Sequence, residues 1–187
     1  MRIRRIFRPS PAARLRVPLA LTTGIGLFGL LLSVAVPRDL FGPTQRAPAV
    51  SAAASDIRVL DGETLQLGGR VLRLHALSVP ERGQATCRDP AGRPTDCGAA
   101  AAEALAGLVA GRDLLCRIRG ADRHGRALGT CEAGGVEVNA SLVATGWALA
   151  GPGAAPGLTA IEAAARQHGR GVWAGAQPAP ESWRPGS

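Results

Sequence analysis

Tyrosine is absent from this sequence of 187 residues, and so is lysine: all 22 basic side chains are arginine. Without tyrosine, no phenolic ring is available to touch a ligand. Cysteine is sparse, at four residues, and no two stand in a CxxC pair. Their gaps of nine, eighteen and fourteen residues fit no common zinc pattern. No segment repeats at a fixed period, which leaves no ground for a repeat architecture. A charge excess is also missing from most of the chain. Residues 47–187 carry fourteen arginines and thirteen acids, so the high isoelectric point is no argument for nucleic-acid binding. The abundant Ala, Gly, Pro and Arg match what genomic base composition alone can produce, and no function is drawn from them.

The positive charge sits at the N-terminus, where residues 1–46 hold eight arginines against one acid, Asp39. Behind the basic segment 1–16 comes Val17 to Val36, 20 residues without a charge. As a helix this run spans ~30 Å, the hydrocarbon thickness of a bilayer. Segment 17–37 is therefore expected to be a transmembrane signal anchor, with the arginines holding the N-terminus in the cytoplasm. The domain is then extracytoplasmic, in the periplasm or at the cell surface. A cleaved signal peptide is the alternative, because Ser33-Val34-Ala35 offers small residues at a suitable place; the domain is then secreted. Residues 38–55, with their Pro, Ala and Ser, read as a linker.

All four cysteines fall after the apolar run, which suits an exported domain. Four cysteines allow three connectivities. The sequential pairing, Cys87–Cys97 and Cys116–Cys131, is the expected one, since it closes two short loops worth roughly 3 kcal/mol each by chain entropy. Buried free thiols are the alternative.

The stretch from Asp61 to Glu81 organises the folded part, expected over 56–175 with a Pro-rich tail at 176–187. Thr64, Leu65 and Leu67 suit a pleated surface, and Gly68-Gly69 signals a hairpin turn. In the second run Val71, Arg73 and His75 share one face, opposite Leu72, Leu74 and Ala76. An arginine and several carboxylates on one small sheet can hold a phosphate and a hard cation together. A hairpin with charged residues on its wet face is the plainer reading. Residues 82–96 read as a loop bracketed by Cys87 and Cys97, and Gly98 to Ala110 as a helix that Gly111 ends. Strands follow at 113–119 and 127–131 around the polar turn 120–126. Asn139 is expected to cap a short helix to Thr145, and Leu158 to His168 reads as another helix. Short strands interleaved with helices imply an α+β fold, a small barrel with helices outside.

These pieces resemble the staphylococcal nuclease (thermonuclease) family. The matching elements, in order, are DGETL at 61–65, RLHALSVPE at 73–81, CG with an Ala-rich helix at 97–110, and DRHGR at 122–126. VNASLVATGWALA at 138–150 and EAAAR with GRGVW at 162–173 complete the series. Short glycine-charge strings recur by chance, but six in the correct order identify a fold. The four cysteines are similar to those of the exported bacterial branch. The resemblance implies a five-stranded OB-fold β-barrel with about three helices and calcium-dependent hydrolysis of DNA or RNA by a monomer. It assigns the phosphate clamp to Arg73 and Arg126 and the general base to Glu81. Two guanidiniums can donate to non-bridging oxygens and stabilise charge growing in the transition state, while a carboxylate orients or deprotonates water.

The sequence departs from the family at the metal. The resemblance places Ca²⁺ against Glu63, Ser78, the backbone carbonyl of Val79, and Asp61. Glu63 stands on a longer stem than the family's aspartate, and Ser78 replaces an aspartate outright. Ca²⁺ affinity depends on ligand charge, so a weakened site, or another divalent metal, is expected. The family's nucleotide-contacting tyrosines have no counterpart; His124 takes the place of one, and residues 151–157 the region of the other. A non-catalytic nuclease-like module binding an oligonucleotide or a protein is therefore the rival reading. His75 and His168 lack partners at ligand spacing, Trp147 and Trp173 read as core, and Trp183 as a clamp on the tail. The string Asn139-Ala140-Ser141 fits a glycosylation acceptor only nominally.

Overall fold

The computed structural model describes residues 47–89, 91–176 and 180–183. Among the described residues there are eleven strands: β1 (Ala49–Ala52), β2 (Ile57–Val59), β3 (Thr64–Leu67), β4 (Arg70–Leu74), β5 (Leu77–Ser78), β6 (Thr86–Arg88), β7 (Pro94–Asp96), β8 (Leu114–Ala121), β9 (Ala127–Ala133), β10 (Val136–Glu137) and β11 (Leu149–Ala150). The helices are α1 (Cys97–Val109), α2 (Val138–Ala144) and α3 (Pro156–Gln167). The expected membrane segment, 17–37, and the basic segment before it lie outside the described residues. Among the described residues no helix is long and apolar enough to cross a membrane.

Alternation builds the sheet. On β3 and β4 the inward Leu65, Leu67, Leu72 and Leu74 are buried, while Arg73 keeps partial exposure on the outer face. Gly68, at φ 58°, turns the chain between them in the two-residue loop that the sequence signals. β4 pairs parallel with β9, and β8 and β9 run antiparallel, giving the order β1-β8-β9-β4-β3-β2 with β10 appended to β9. The hydrogen-bonded path stays open between β1 and β2, so the architecture is OB-like and α+β with three helices rather than a closed five-stranded barrel. The core joins this sheet to Leu105 and Val109 of α1 and to Val138, Leu142 and Val143 of α2.

The folded body begins earlier than expected. β1 lies inside 38–55 and pairs with β8 from Ala49–Arg117 to Ala52–Leu114. Residues 82–96 hold a hairpin, β6 with β7, instead of an irregular loop. Both expected disulfides form: Cys116–Cys131 sits directly across the β8–β9 ladder, and Cys87–Cys97 ties β6 to the first residue of α1. The tail is not loose throughout, for Pro180–Trp183 forms a 3-10 turn and Trp183 is buried at 7% exposure against Ala85, Cys87 and Cys97.

Asn139 does not cap α2. That task falls to Glu137, whose carboxylate accepts from the backbone N–H groups of Asn139 and Ala140 at 3.0 and 2.8 Å. Asn139 is instead 3% exposed, too buried to accept a glycan. Its side-chain oxygen accepts from Cys131 N–H at 3.1 Å, and its amide donates to the carbonyls of His75 and Gly129 at 2.9 and 3.2 Å. It thereby joins β9 and α2 to the residue after β4. Asn139→Ala removes these three hydrogen bonds, though the Gly129 carbonyl keeps its bond from His75 N–H at 2.8 Å, and a loss on the order of 3 kcal/mol is expected in urea unfolding; a loss under about 0.5 kcal/mol refutes the cross-link.

Candidate active site

The turn between β2 and β3 places the first carboxylate. Asp61 Oδ1 accepts from the N–H of Glu63 at 2.9 Å, a local turn that short acids favour. The carbonyl of Glu63 accepts from Leu74 N–H at 2.7 Å, docking the turn on the end of β4. Gly62 is required for this approach, since a Cβ there would lie 2.6 Å from Val79 Cγ1 and 2.7 Å from Ala101 Cβ. The side chain of Glu63 then meets Arg73, with Nη2 2.5 Å from Oε1. The register puts Arg73 opposite Thr64, so one ladder fixes both partners.

Burial is the largest influence on Glu63. It drives the carboxyl up to about 7, against the opposing charge and hydrogen bond of Arg73, with Asp61 adding to the rise and Arg126 countering it. Its second oxygen, Oε2, is buried without a hydrogen-bond partner. An orphaned carboxylate oxygen beside Asp61 is the donor chemistry a hard cation needs. The folded-state pKa is raised, so the proton's stabilisation is complete below about 4.5 and is lost as pH rises through about 7. In chelator, unfolding free energy is therefore expected to fall by up to about 3 kcal/mol over that window. Glu63→Gln should flatten the slope, and an unchanged slope in that variant overturns the attribution.

Arg126 is placed by its own loop. Asp122 Oδ1 accepts from the N–H groups of His124 and Arg126 at 2.8 and 2.9 Å, while Oδ2 accepts from Arg126 Nε at 2.7 Å. Desolvation would raise this acid, but the hydrogen bonds from Arg126 and His124 outweigh it and hold Asp122 at about 2. Arg126 is thus gripped at Nε, with its side chain about one third exposed. Arg126 immediately precedes β9, whose Ala127 and Leu128 pair with Leu72 and Arg73 of β4, so the two arginines stand close in register across neighbouring strands.

Glu81 is exposed, on the turn after buried Pro80. Its N–H donates to Gln84 Oε1 at 2.7 Å, and its carbonyl accepts from Gln84 N–H at 3.1 Å. Gly98 of α1 presses on it so closely that a Cβ would lie 2.7 Å from the Glu81 carbonyl carbon. The structure thus brings Asp61, Glu63, Arg73 and Arg126 together, with Val79 against Gly62 and Glu81 across the first turn of α1. Ser78 is set apart: it is 6% exposed, its residue pairs with Leu149, and its hydroxyl donates to the Trp183 carbonyl at 3.5 Å. Among the described residues no group of three or more His, Cys, Asp or Glu stands ready to hold a metal. His75 lines a separate cavity of about 510 Å³ with Arg119, Thr130, Asn139, Leu158 and Ile161. His75 lies just past the end of β4, in the turn that leads to β5.

Sequence reasoning missed Asp122, Gly62 and Gly98 as placing residues. The four-residue spacing of Asp122 and Arg126 was a usable sign; the glycine contacts have no sequence signature.

Residues 72–175 match the family described as staphylococcal nuclease homologue. A succinoglycan biosynthesis protein of Rhizobium meliloti (strain 1021), ExoI, is 35% identical over 133 residues, covering 70% of this chain and 69% of that one. An uncharacterized endonuclease of Escherichia coli is 31% identical over 136 residues, covering 68% of this chain and 82% of that one. With the ordered motifs and the geometry above, these matches establish that the chain belongs to the staphylococcal nuclease homologue family.

Proposed function

We propose that the protein is a divalent-cation-dependent nuclease that hydrolyses phosphodiester bonds of DNA or RNA, acting as an extracytoplasmic monomer. The observation that carries the reading is the buried Glu63 carboxylate, tied to Arg73 through one oxygen and unpartnered at the other, with Arg126 close in register to Arg73. Glu63 and Asp61 would hold the cation, Ca²⁺ by the family's habit. Two carboxylates leave most positions of a hard cation to water and substrate phosphate, a pattern that Mg²⁺ also accepts. When bound, the ion supplies positive charge next to the phosphate and lowers the pKa of water. Arg73 keeps donors free beyond the nitrogen used by Glu63, and with Arg126 it clamps the non-bridging oxygens. Glu81, exposed at the rim, accepts the proton of the attacking water through a carboxylate oxygen. A nucleotide flanking the cut passes over His75 and Arg119, a substitute for the missing tyrosine contacts. Two disulfides support an oxidising compartment, reached by an anchor at 17–37 or by cleavage after it.

The test is incubation of the chain with single-stranded DNA and RNA, with Ca²⁺, with Mg²⁺ and with chelator. Cleavage that chelator abolishes is expected. One observation favours the rival reading of a non-catalytic binding module: Ser78 is turned to the Trp183 carbonyl, so the third acidic ligand is missing. Binding of oligonucleotide without cleavage in any metal would establish that rival.

A further inference from the structure

The first turn of α1 touches both halves of the site. Gly98 lies against the backbone of Glu81, where a Cβ would come 2.8 Å from the carbonyl oxygen, and Ala101 lies against Gly62 of the Asp61–Glu63 turn. Wherever α1 starts, Glu81 and Glu63 must follow. Two consecutive residues, Asp96 and Cys97, fix that start. Asp96 caps the helix, its Oδ1 accepting from Ala99 N–H at 2.6 Å. Its other oxygen, Oδ2, accepts from Gly83 N–H within the Glu81 turn. Cys97 N–H donates to Ala85 O at 2.9 Å, and Cys97 is bonded through sulfur to Cys87. Asp96 is held below the usual carboxylate range: desolvation opposes this, but hydrogen bonds from Ala99, Gly83 and Gly98 and the charge of Arg82 prevail.

We infer that Asp96 and the Cys87–Cys97 disulfide form a latch that positions Glu81 against α1, so that turnover depends on the redox state of this one disulfide. The inference rests on the reading of Glu81 as the base. Asp96 is a positioning residue, since none of its contacts reaches a reacting atom. Reduction takes two electrons and two protons from a dithiol, which leaves as its own disulfide, and Cys87 and Cys97 become thiols. Both sulfurs stay within a buried cluster with Ala85, Leu149, Val172 and Trp183, so packing persists while the covalent tie is gone. The turn at 81–85 then has no covalent tie to α1 and hangs on packing and on hydrogen bonds, among them Gly83 N–H to Asp96 and Cys97 N–H to the Ala85 carbonyl. Cys116–Cys131 is the internal contrast. It bridges two strands already laddered together, and its loss leaves Glu81 untouched. The protein is thereby inactive where thiols are kept reduced and becomes active once oxidised.

Asp96→Asn separates positioning from simple stabilisation. Asparagine caps helices as well as aspartate, so a purely structural role predicts a variant like the parent. The two N–H groups meet different oxygens of Asp96, and in asparagine one of these becomes an NH2 donor, so with the cap kept the bridge to the Glu81 turn breaks. Initial rates on single-stranded DNA with Ca²⁺ are measured for the full chain and for Asp96→Asn, Cys87→Ala/Cys97→Ala, Cys116→Ala/Cys131→Ala and Glu81→Gln. In the two latch variants kcat should fall at least about tenfold, with KM and the Ca²⁺ requirement unchanged. The Cys116/Cys131 variant should stay within about twofold below its melting temperature. Amide hydrogen exchange at 81–85 should quicken in the latch variants alone, a readout that holds whether or not the chain cleaves. Parent-like exchange and kcat in Asp96→Asn overturn the latch while leaving the nuclease reading intact. Full cleavage by Glu81→Gln overturns the assignment of the base and the latch with it.

Discussion

Arg126→Ala is expected to lower nucleic-acid cleavage by about 10²–10³-fold while leaving the fold intact, the cost of losing one donor aimed at a charge that develops in the transition state. The loop around Arg126 supports both halves of that statement. Asp122 binds the backbone N–H groups of His124 and Arg126 as well as the guanidinium, so the loop keeps its Asp-centred turn when the side chain is removed. The side chain of Arg126 is 35% exposed. Because Asp122 ionises near 2, it holds Nε in place across any pH at which the enzyme works. Arg126→Lys keeps the charge but not the fork that meets two phosphate oxygens at once, so it should recover only part of the loss. The measurement is kcat on a single-stranded oligonucleotide beside a thermal melt. Unchanged turnover in a folded Arg126→Ala protein would remove the phosphate clamp from this reading.

The residues that declare themselves in the sequence are those whose chemistry is local. Arg73 and Glu81 stand on one short run, Arg126 within a five-residue turn, and the four cysteines pair with their neighbours in order. The resemblance of these short motifs to the family singles out the three charged residues, and the preference for short closed loops gives the cysteine pairing. Asn139 was misjudged because a polar residue before an apolar run ordinarily caps a helix. One partner, the carbonyl of His75, lies 64 residues away in sequence, another, the N–H of Cys131, is on β9, and Glu137 takes the cap. β1 escaped notice for a similar reason. Ala-Val-Ser-Ala carries little strand preference of its own, and it becomes a strand only by pairing with β8, more than 60 residues away. Gly62 and Gly98 carry no mark in one dimension, since each matters only for what would collide with an added methyl group. The burial of Glu63 was equally hidden, because the sequence shows its charge and not the turn that encloses it.

The proposed cation site gives the largest gain to be sought by substitution. Ser78→Asp combined with Glu63→Asp is expected to tighten Ca²⁺ binding at least about tenfold, since affinity rises with the number of carboxylates offered. The neighbouring Val79 already touches Gly62 of the Asp61–Glu63 turn, which brings position 78 within one residue of that turn. Without metal the change should be costly. Ser78 is 6% exposed and donates to the Trp183 carbonyl; an aspartate there sets one acceptor against another, worth roughly 1–3 kcal/mol of stability. The shorter Glu63→Asp stem also draws its carboxylate back from Arg73. Added Ca²⁺ should therefore stabilise the double variant more than the parent, by about 2.7 kcal/mol at a hundredfold excess over Kd. Calorimetric titration, melts with Ca²⁺ or chelator, and cleavage assays on both proteins decide the matter. If Arg73, Glu81 and Arg126 are poised for hydrolysis, Ca²⁺-dependent cleavage rises together with affinity. Tighter binding with no added cleavage favours the non-catalytic module, and a protein that gains neither shows that position 78 does not face the cation site.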